Sequence, residues 1–337
     1  MKSLVVLPNW VGDTIMALPA LDALASADRD LSVLGRPHLR PLLEAQSSID
    51  TVIDRASSNT ATIQSLKDSN FDEAVVLPNS YRSAWLAYRA GIPQRWGYGG
   101  WTPERLLRRT ILDPAVANGR KRSAHQVQDY ADLLAAMGIQ APAEWVPTLE
   151  ISQRRRSAGR DLLTRSRLDQ DRSPLIGLFA GAEFGPSKRW PWKRFAALAQ
   201  RIRRNVPASQ QIVLAGPKET WLAVRIHEES GKIHPVVGPD LDLGQLATVI
   251  AELDLLVTND SGPMHMAAAL GVPSLAIFGP TDPRRTSPVG DSHRVLYADR
   301  WCSPCFRRRC PLIHHGCMRD ITVDQVANQA LEMLAAK

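Results

Sequence analysis

Short apolar runs without polar alternation recur along the chain, and each gives way to a stretch with helical spacing. Runs of that kind suit parallel strands covered on both faces, so the pattern predicts an alternating α/β fold. Residues 3–7 form the first predicted strand, and a helix from about residue 12 to residue 25 follows it. Strands over 31–34, 51–53 and 74–77 continue the series, separated by helical stretches around Pro41, Ile63 and Ala84. A helix near 124–137, a proline-rich passage at 141–147 and a charged helix over 153–167 complete this half. A second series opens with a strand at 175–179 and a helix at 192–204. It runs on through strands at 211–215 and 235–237, helices at 219–229 and 243–252, and strands at 255–257 and 273–278. Two such series predict two Rossmann-like, doubly wound domains, residues 1–168 and 169–337, with 169–174 as linker. Facing each other, they would form a central cleft with ligands at the carboxyl ends of the strands. The last helix, 323–336, is expected to pack back onto the N-terminal domain.

The densest chemical signal is TNDSGPMHMAAALGVPSLAIFGPTDP, residues 258–283. A buried strand stops there at Asn259-Asp260. Asp260 or Ser261 is placed to cap the next helix, and Pro263 falls in a first turn where its missing N–H costs nothing. Ala267, Ala268 and Ala269 let this helix lie close to the sheet, and Gly271 ends it. Its start at Ser261-Gly262 offers free amides and the positive end of a helix dipole, which attract phosphate. An acid beside a diphosphate needs a neutral group to face, and a sugar hydroxyl would satisfy Asp260. The plainer alternative makes Asp260 an N-cap and His265 a satisfied helix residue.

Loops at the other strand ends narrow the chemistry. Pro8 to Asp13 lacks G-x-G-x-x-G, which disfavours a dinucleotide-dependent oxidoreductase. No G-x-S-x-G elbow marks an α/β hydrolase. The first loop instead offers a carboxylate, Asp13, at a helix start, where an acid also serves as an ordinary dipole partner. GAEFGPSKRWP, residues 181–191, brings two glycines, the Ser187 hydroxyl and the Lys188 ammonium into one loop ahead of a helix. That combination suits phosphate oxygens. Glu219 opens the helix after the next strand, placed for ribose hydroxyls or as a first-turn acid.

Composition adds a partner class. The 337 residues fit about two domains, and 44% hydrophobic content is ample for two cores. No signal-peptide core or spanning segment is apparent, so a cytosolic location is expected. The formal charge of +7 points to an anionic partner. The arginines gather at Arg105/Arg108/Arg109, Arg120/Lys121/Arg122, Arg154/Arg155/Arg156 and Arg307/Arg308/Arg309, although each cluster alone reads equally as a solvated face.

Four segments resemble one family, the ADP-heptose:lipopolysaccharide heptosyltransferases. They are PNWVGDTIMALPAL at 8–21, LPNSYRSA at 77–84, GAEFGPSKRWP at 181–191 and TNDSGPMHMAAAL at 258–270. They stand in family order over nearly the whole chain, and GAEFGPSKRWP favours the type II members over type I. The resemblance implies a GT-B fold and an inverting, metal-independent transfer of L-glycero-D-manno-heptose from ADP-heptose to the heptosyl-Kdo-lipid A inner core. Asp13 then matches the family's catalytic base, and Lys188 the lysine that steadies the departing diphosphate. Glu219 matches an acid on the adenosine ribose, Asp260 a residue contacting the donor sugar, and Leu241 a position presenting backbone to adenine. Ser187, Ser261, Gly262 and His265 complete the donor set. Asn9, Asn79, Ser80 and Arg82 lie on the acceptor half. A monomer working peripherally at the cytoplasmic face of the inner membrane is expected, its basic surface toward lipid phosphates and anionic headgroups.

Cys302, Cys305, Cys310 and Cys317, with His314 and His315 in the last gap, have spacing that could hold structural zinc or an iron–sulfur cluster, or could be reduced, uncoordinated thiols. Catalysis need not involve them. Within enzymes the rival is a related glycosyltransferase with a type I or type III acceptor, or with another nucleotide sugar. A basic nucleic-acid-binding protein is the rival of another class, and it leaves the ordered loop motifs without a role.

Overall fold

A computed structural model describes residues 1–99, 106–107, 109–111, 124–166, 168, 174–231, 236–237 and 240–336. The chain forms two compact units, Met1–Glu150 and Ile151–Lys337. In the first, β1 (Lys2–Val6), β2 (Asp30–Gly35), β3 (Thr51–Asp54), β4 (Glu73–Val76), β5 (Gln94–Tyr98) and β6 (Arg109–Ile111) make one sheet in the order 3-2-1-4-5-6. In the second, β7 (Leu175–Phe179), β8 (Gln210–Leu214), β9 (Val236–Val237), β10 (Leu255–Asn259), β11 (Ser274–Phe278) and β12 (His293–Tyr297) repeat that order as 9-8-7-10-11-12. Every strand pairing is parallel.

The central strands are the apolar runs seen in sequence. Along β4, β7, β10 and β11 every residue is buried, as a strand covered by helices on both faces requires. The strand order reverses between β1 and β4 and again between β7 and β10, which makes a switch point in each sheet. Register carries the strand ends to the same level: Val6 pairs with Val76, and Phe179 with Thr258. The loops after β1 and β4, and those after β7 and β10, therefore emerge side by side within each unit.

Several details depart from the sequence pattern. The helix expected over residues 12–25 is two helices, Val11–Met16 and Leu18–Ala25, broken at Ala17 just ahead of Pro19. β5, β6 and β12 interrupt the apolar pattern that marks the inner strands: β5 (QRWGY) is polar and aromatic, β6 (RTI) is three residues long, and β12 (HRVLY) opens on His293 and Arg294. In β5 the Arg95 side chain is buried and donates to the carbonyls of Leu106 and Ile92. The charged helix, Gln153–Arg165, belongs to the second unit, not to the first half as the 168/169 division had it. It packs on Leu243–Ile250, where a Cβ on Gly159 would meet Thr248 Oγ1 at 2.6 Å, and Arg160 Nε lies 3.0 Å from Glu252 Oε2. Residues 169–173 of the expected linker lie outside the described residues. The last helix, Val323–Ala335, packs on Trp192–Asn205 within its own unit. Its Val326, Ala327, Ala330 and Met333 join Phe195, Ile202, Val257 and Ile277 in one core, so its apolar face is used there.

Candidate active site

In the second unit the switch point gathers most of the predicted donor residues. The loop after β7 enters a short helical turn, Pro186–Lys188, and Lys188 Nζ lies 2.5 Å from Asp260 Oδ2, at the end of β10. Both side chains are largely buried, and Thr281 Oγ1 donates to the same carboxylate oxygen at 2.5 Å. The Lys188 ammonium also sits 4.9 Å from the centre of the Phe184 ring. Asp260 is thus an ion-pair partner and not the helix cap that its position suggested. Ser261 holds the cap position of Gly262–Ala269, yet its hydroxyl is 3.1 Å from Thr258 Oγ1 and caps nothing. A helix start with no side-chain cap, flanked by a lysine, is chemically an anion site. His265 lies buried on that helix.

Ser187 and Glu219 serve the loop itself. The Ser187 hydroxyl donates to the Arg307 carbonyl at 2.5 Å and its amide to the Arg308 carbonyl at 3.2 Å, tying the lysine turn to the cysteine-bearing segment. Gly185 permits this approach: its φ is +148°, and a Cβ there would meet Arg308 O at 2.5 Å. Glu219 Oε1 accepts from the Ala182 amide at 2.8 Å and from Arg189 Nε and Nη2 at 3.0 and 2.6 Å. Its Oε2 lies against Gly181, where any Cβ would stand 2.1 Å away. Leu241 is half-buried just before Asp242, the cap of Leu243–Ile250.

Asn259 is a residue that sequence reasoning passed over. Fully buried, it donates through Nδ2 to the carbonyls of Ala180 and Gly181 at 2.7 and 3.3 Å and accepts from the Trp190 amide at 3.0 Å. It clamps both ends of the 181–190 loop. An amide closing an otherwise apolar strand was the available signal. Thr281 and Arg189, inside the quoted motifs, were likewise given no role.

In the first unit Asp13 stands in the first turn of Val11–Met16, after β1, and is partly exposed. The turn is braced by the Thr14 hydroxyl, which donates to the carbonyls of Pro8 and Trp10, and by Tyr130, whose hydroxyl donates to the Asp13 carbonyl at 3.3 Å. Asn79 is exposed after β4, while Ser80 caps Tyr81–Arg89 by accepting from the Ser83 amide at 3.2 Å. Arg82 donates twice to Asn59 Oδ1, and Arg36 Nε donates to Asn9 Oδ1 at 2.9 Å.

Two further arginines, at the ends of β2 and β3, join this set. Arg36 follows Gly35, whose carbonyl accepts from the Arg55 amide at 2.7 Å. Burial, then the guanidinia of Arg82 and Arg36, push the Arg55 side chain below the usual arginine range. Arg55 Nη2 is buried with no hydrogen-bond partner. Among the described residues none of the three arginines has a carboxylate partner. Mutually repelling guanidinia with an unmet donor suit an anionic group. Of the sequence clusters, Arg105, Arg108 and Arg120/Lys121/Arg122 lie outside the described residues.

The four cysteines are free thiols. Cys317 is buried, and its thiol is pushed up to about 11, chiefly by burial and then by Cys305, Cys302 and Cys310. His314 Nδ1 accepts from the Gly316 amide at 2.7 Å, and its Nε2 stands 3.9 Å from Cys302 Sγ. Among the described residues no group of three or more His, Cys, Asp or Glu is arranged to hold a metal ion, the alternative that the spacing left open beside reduced, uncoordinated thiols. No helix among the described residues is long and apolar enough to cross a membrane.

The profile of glycosyltransferase family 9 (heptosyltransferase) matches residues 59–315. Lipopolysaccharide heptosyltransferase 2 of Salmonella typhimurium is 30% identical, with 99% of each chain covered. Its Escherichia coli namesake is 32% identical over 88% of each. The solved structure of E. coli ADP-heptose LPS heptosyltransferase II superimposes with a TM-score of 0.82 at 29% identity, covering all of this chain and 99% of that one. The two parallel α/β units are those of a GT-B glycosyltransferase.

Proposed function

The chain belongs to glycosyltransferase family 9, the heptosyltransferases, and from that premise we propose that it transfers L-glycero-D-manno-heptose, with inversion, from ADP-heptose to the heptosyl-Kdo-lipid A inner core. The observation that carries this reading is the Lys188–Asp260 pair at the uncapped start of Gly262–Ala269. The two charges cancel while the site is empty. An arriving diphosphate competes for the lysine, and the ammonium turns from Asp260 to the phosphate oxygens. Asp260, still held by Thr281, is then released to accept from a sugar hydroxyl. Lys188 and the helix amides stabilise the negative charge that grows as ADP departs.

Glu219 accepts from ribose hydroxyls through Oε2 while Oε1 keeps the loop closed. The backbone at Leu241 meets adenine. Ser187 acts on the donor through the loop it anchors. An inverting displacement needs one base on the face opposite the leaving group, and Asp13 takes the proton of the attacking acceptor hydroxyl. Positioned bases contribute roughly 10²–10⁴-fold. Arg82, with Arg36 and Arg55, meets an anionic group of the acceptor, and Asn9 and Asn79 its sugar hydroxyls. The enzyme works peripherally at the cytoplasmic face of the inner membrane; its net charge of +7 supports attraction to that surface.

The test is ADP release by purified protein given ADP-heptose, with and without heptosyl-Kdo-lipid A, EDTA in parallel. Acceptor-dependent release that survives EDTA is expected. ADP binding without release would move the activity to another acceptor, and indifference to ADP-heptose would refute the donor.

A further inference from the structure

Residues 300–316 form an exposed apolar and basic loop that the transfer chemistry does not use. Trp301 is 86% exposed and Ile313 80%, and Phe306 and Leu312 are also turned to solvent. Four large apolar side chains so presented within thirteen residues mark an interaction surface. The backbone strengthens the point. Ile313 has φ +59° and Phe306 φ +54°, left-handed conformations that a β-branched residue in particular resists. Neither side chain gains burial in return; instead both amides are held within the chain, Phe306 to the Pro280 carbonyl and Ile313 to that of Cys310, so the backbone keeps the two side chains presented to solvent. The loop is well held. Ser303 Oγ donates to the Gly279 carbonyl, the Phe306 amide donates to the Pro280 carbonyl at 2.8 Å, and the Arg307 carbonyl accepts from Ser187.

Its charge identifies the partner. Arg307 and Arg309 are exposed, and no carboxylate pairs with either among the described residues. A tryptophan, long aliphatic side chains and unpaired arginines on one rigid loop match the interface of a bilayer carrying anionic headgroups, where rings and aliphatic groups enter the acyl boundary and guanidinia meet phosphates. We propose that Trp301, Phe306, Leu312 and Ile313, flanked by Arg307 and Arg309, dock this protein on an anionic membrane surface. The inference rests on the reading above, because an acceptor anchored through lipid A stays in the bilayer and the enzyme must come to it.

Sedimentation of the full chain with vesicles tests it, with neither donor nor acceptor present, so the result is independent of whether heptose transfer is found. The wild type should co-sediment with phosphatidylglycerol–phosphatidylethanolamine vesicles, more weakly as salt rises, and little with phosphatidylcholine. Ile313→Asn relieves the left-handed strain, so its thermal stability and ADP affinity should hold while vesicle affinity falls about tenfold. The pair Arg307→Gln and Arg309→Gln should lower it about tenfold as well. A wild type that ignores anionic vesicles overturns the proposal. Variants that sediment like the wild type overturn it equally.

Discussion

The Lys188 ammonium and the Asp260 carboxylate are buried together 2.5 Å apart, although 72 positions (260 − 188) separate them in sequence. A buried pair of this kind is costly to break from one side. Lys188→Ala should weaken ADP binding about tenfold or more, because a charge-assisted contact to phosphate is lost and an unpaired carboxylate faces the diphosphate. Asp260→Asn frees the lysine and keeps a partner for Thr281, so ADP binding should be retained or tightened while heptose transfer falls. Isothermal titration with ADP beside an ADP-release assay separates the two variants. Unchanged ADP affinity in Lys188→Ala would remove the lysine from the donor site.

Asp13→Asn preserves the size of the side chain in a turn braced through Thr14 and Tyr130. The variant should melt like the wild type and bind ADP normally, with turnover lower by roughly 10²–10⁴-fold. A rate near that of the wild type excludes Asp13 as the base.

Arg55 offers a test with opposite signs. Its buried Nη2 lacks a partner and two guanidinia repel it, so Arg55→Met should stabilise the protein by about 1 kcal/mol, a few degrees in Tm. The acceptor KM should rise while the donor KM stays put. A fall in Tm with unchanged acceptor KM means the arginine is structural.

Cys317 sets an alkaline limit. Its thiol rises from an ordinary value of 9.0 to about 11 in the folded protein. Below pH 9 both states hold the proton and the full contribution is present. Between pH 9 and 11 the unfolded thiol ionises first, so stability drains away as pH rises through that window. Cys317→Ala should flatten this alkaline slope in denaturant titrations, and alkylation of Cys317 should lag behind an ordinary thiol at pH 8. Equal slopes would mean that another group governs the alkaline limit.

Sequence periodicity located the inner strands well, since burial on both faces leaves an uninterrupted apolar run. β5 was missed because QRWGY carries its burial in Arg95, Trp96 and Tyr98, and β12 because HRVLY is only half-buried, with Arg294 exposed. The strand-end loops were equally legible as turns leading into helix starts, because glycine and proline mark them locally. Arg36 and Arg55 were invisible for the converse reason. Each is a single arginine after an ordinary strand, and only the order 3-2-1-4 brings them beside Arg82.

By itself the sequence determined the alternating α/β class, the loops at the strand ends and the family those loops resemble, because turn chemistry and apolar runs are local properties. Tertiary structure alone decided who meets whom. It made Asp260 the partner of Lys188, made Asn259 the clamp of the 181–190 loop and drew the last helix into its own unit's core. Those pairings follow from strand order and register, which join residues tens to hundreds of positions apart and leave no trace in the residues on either side.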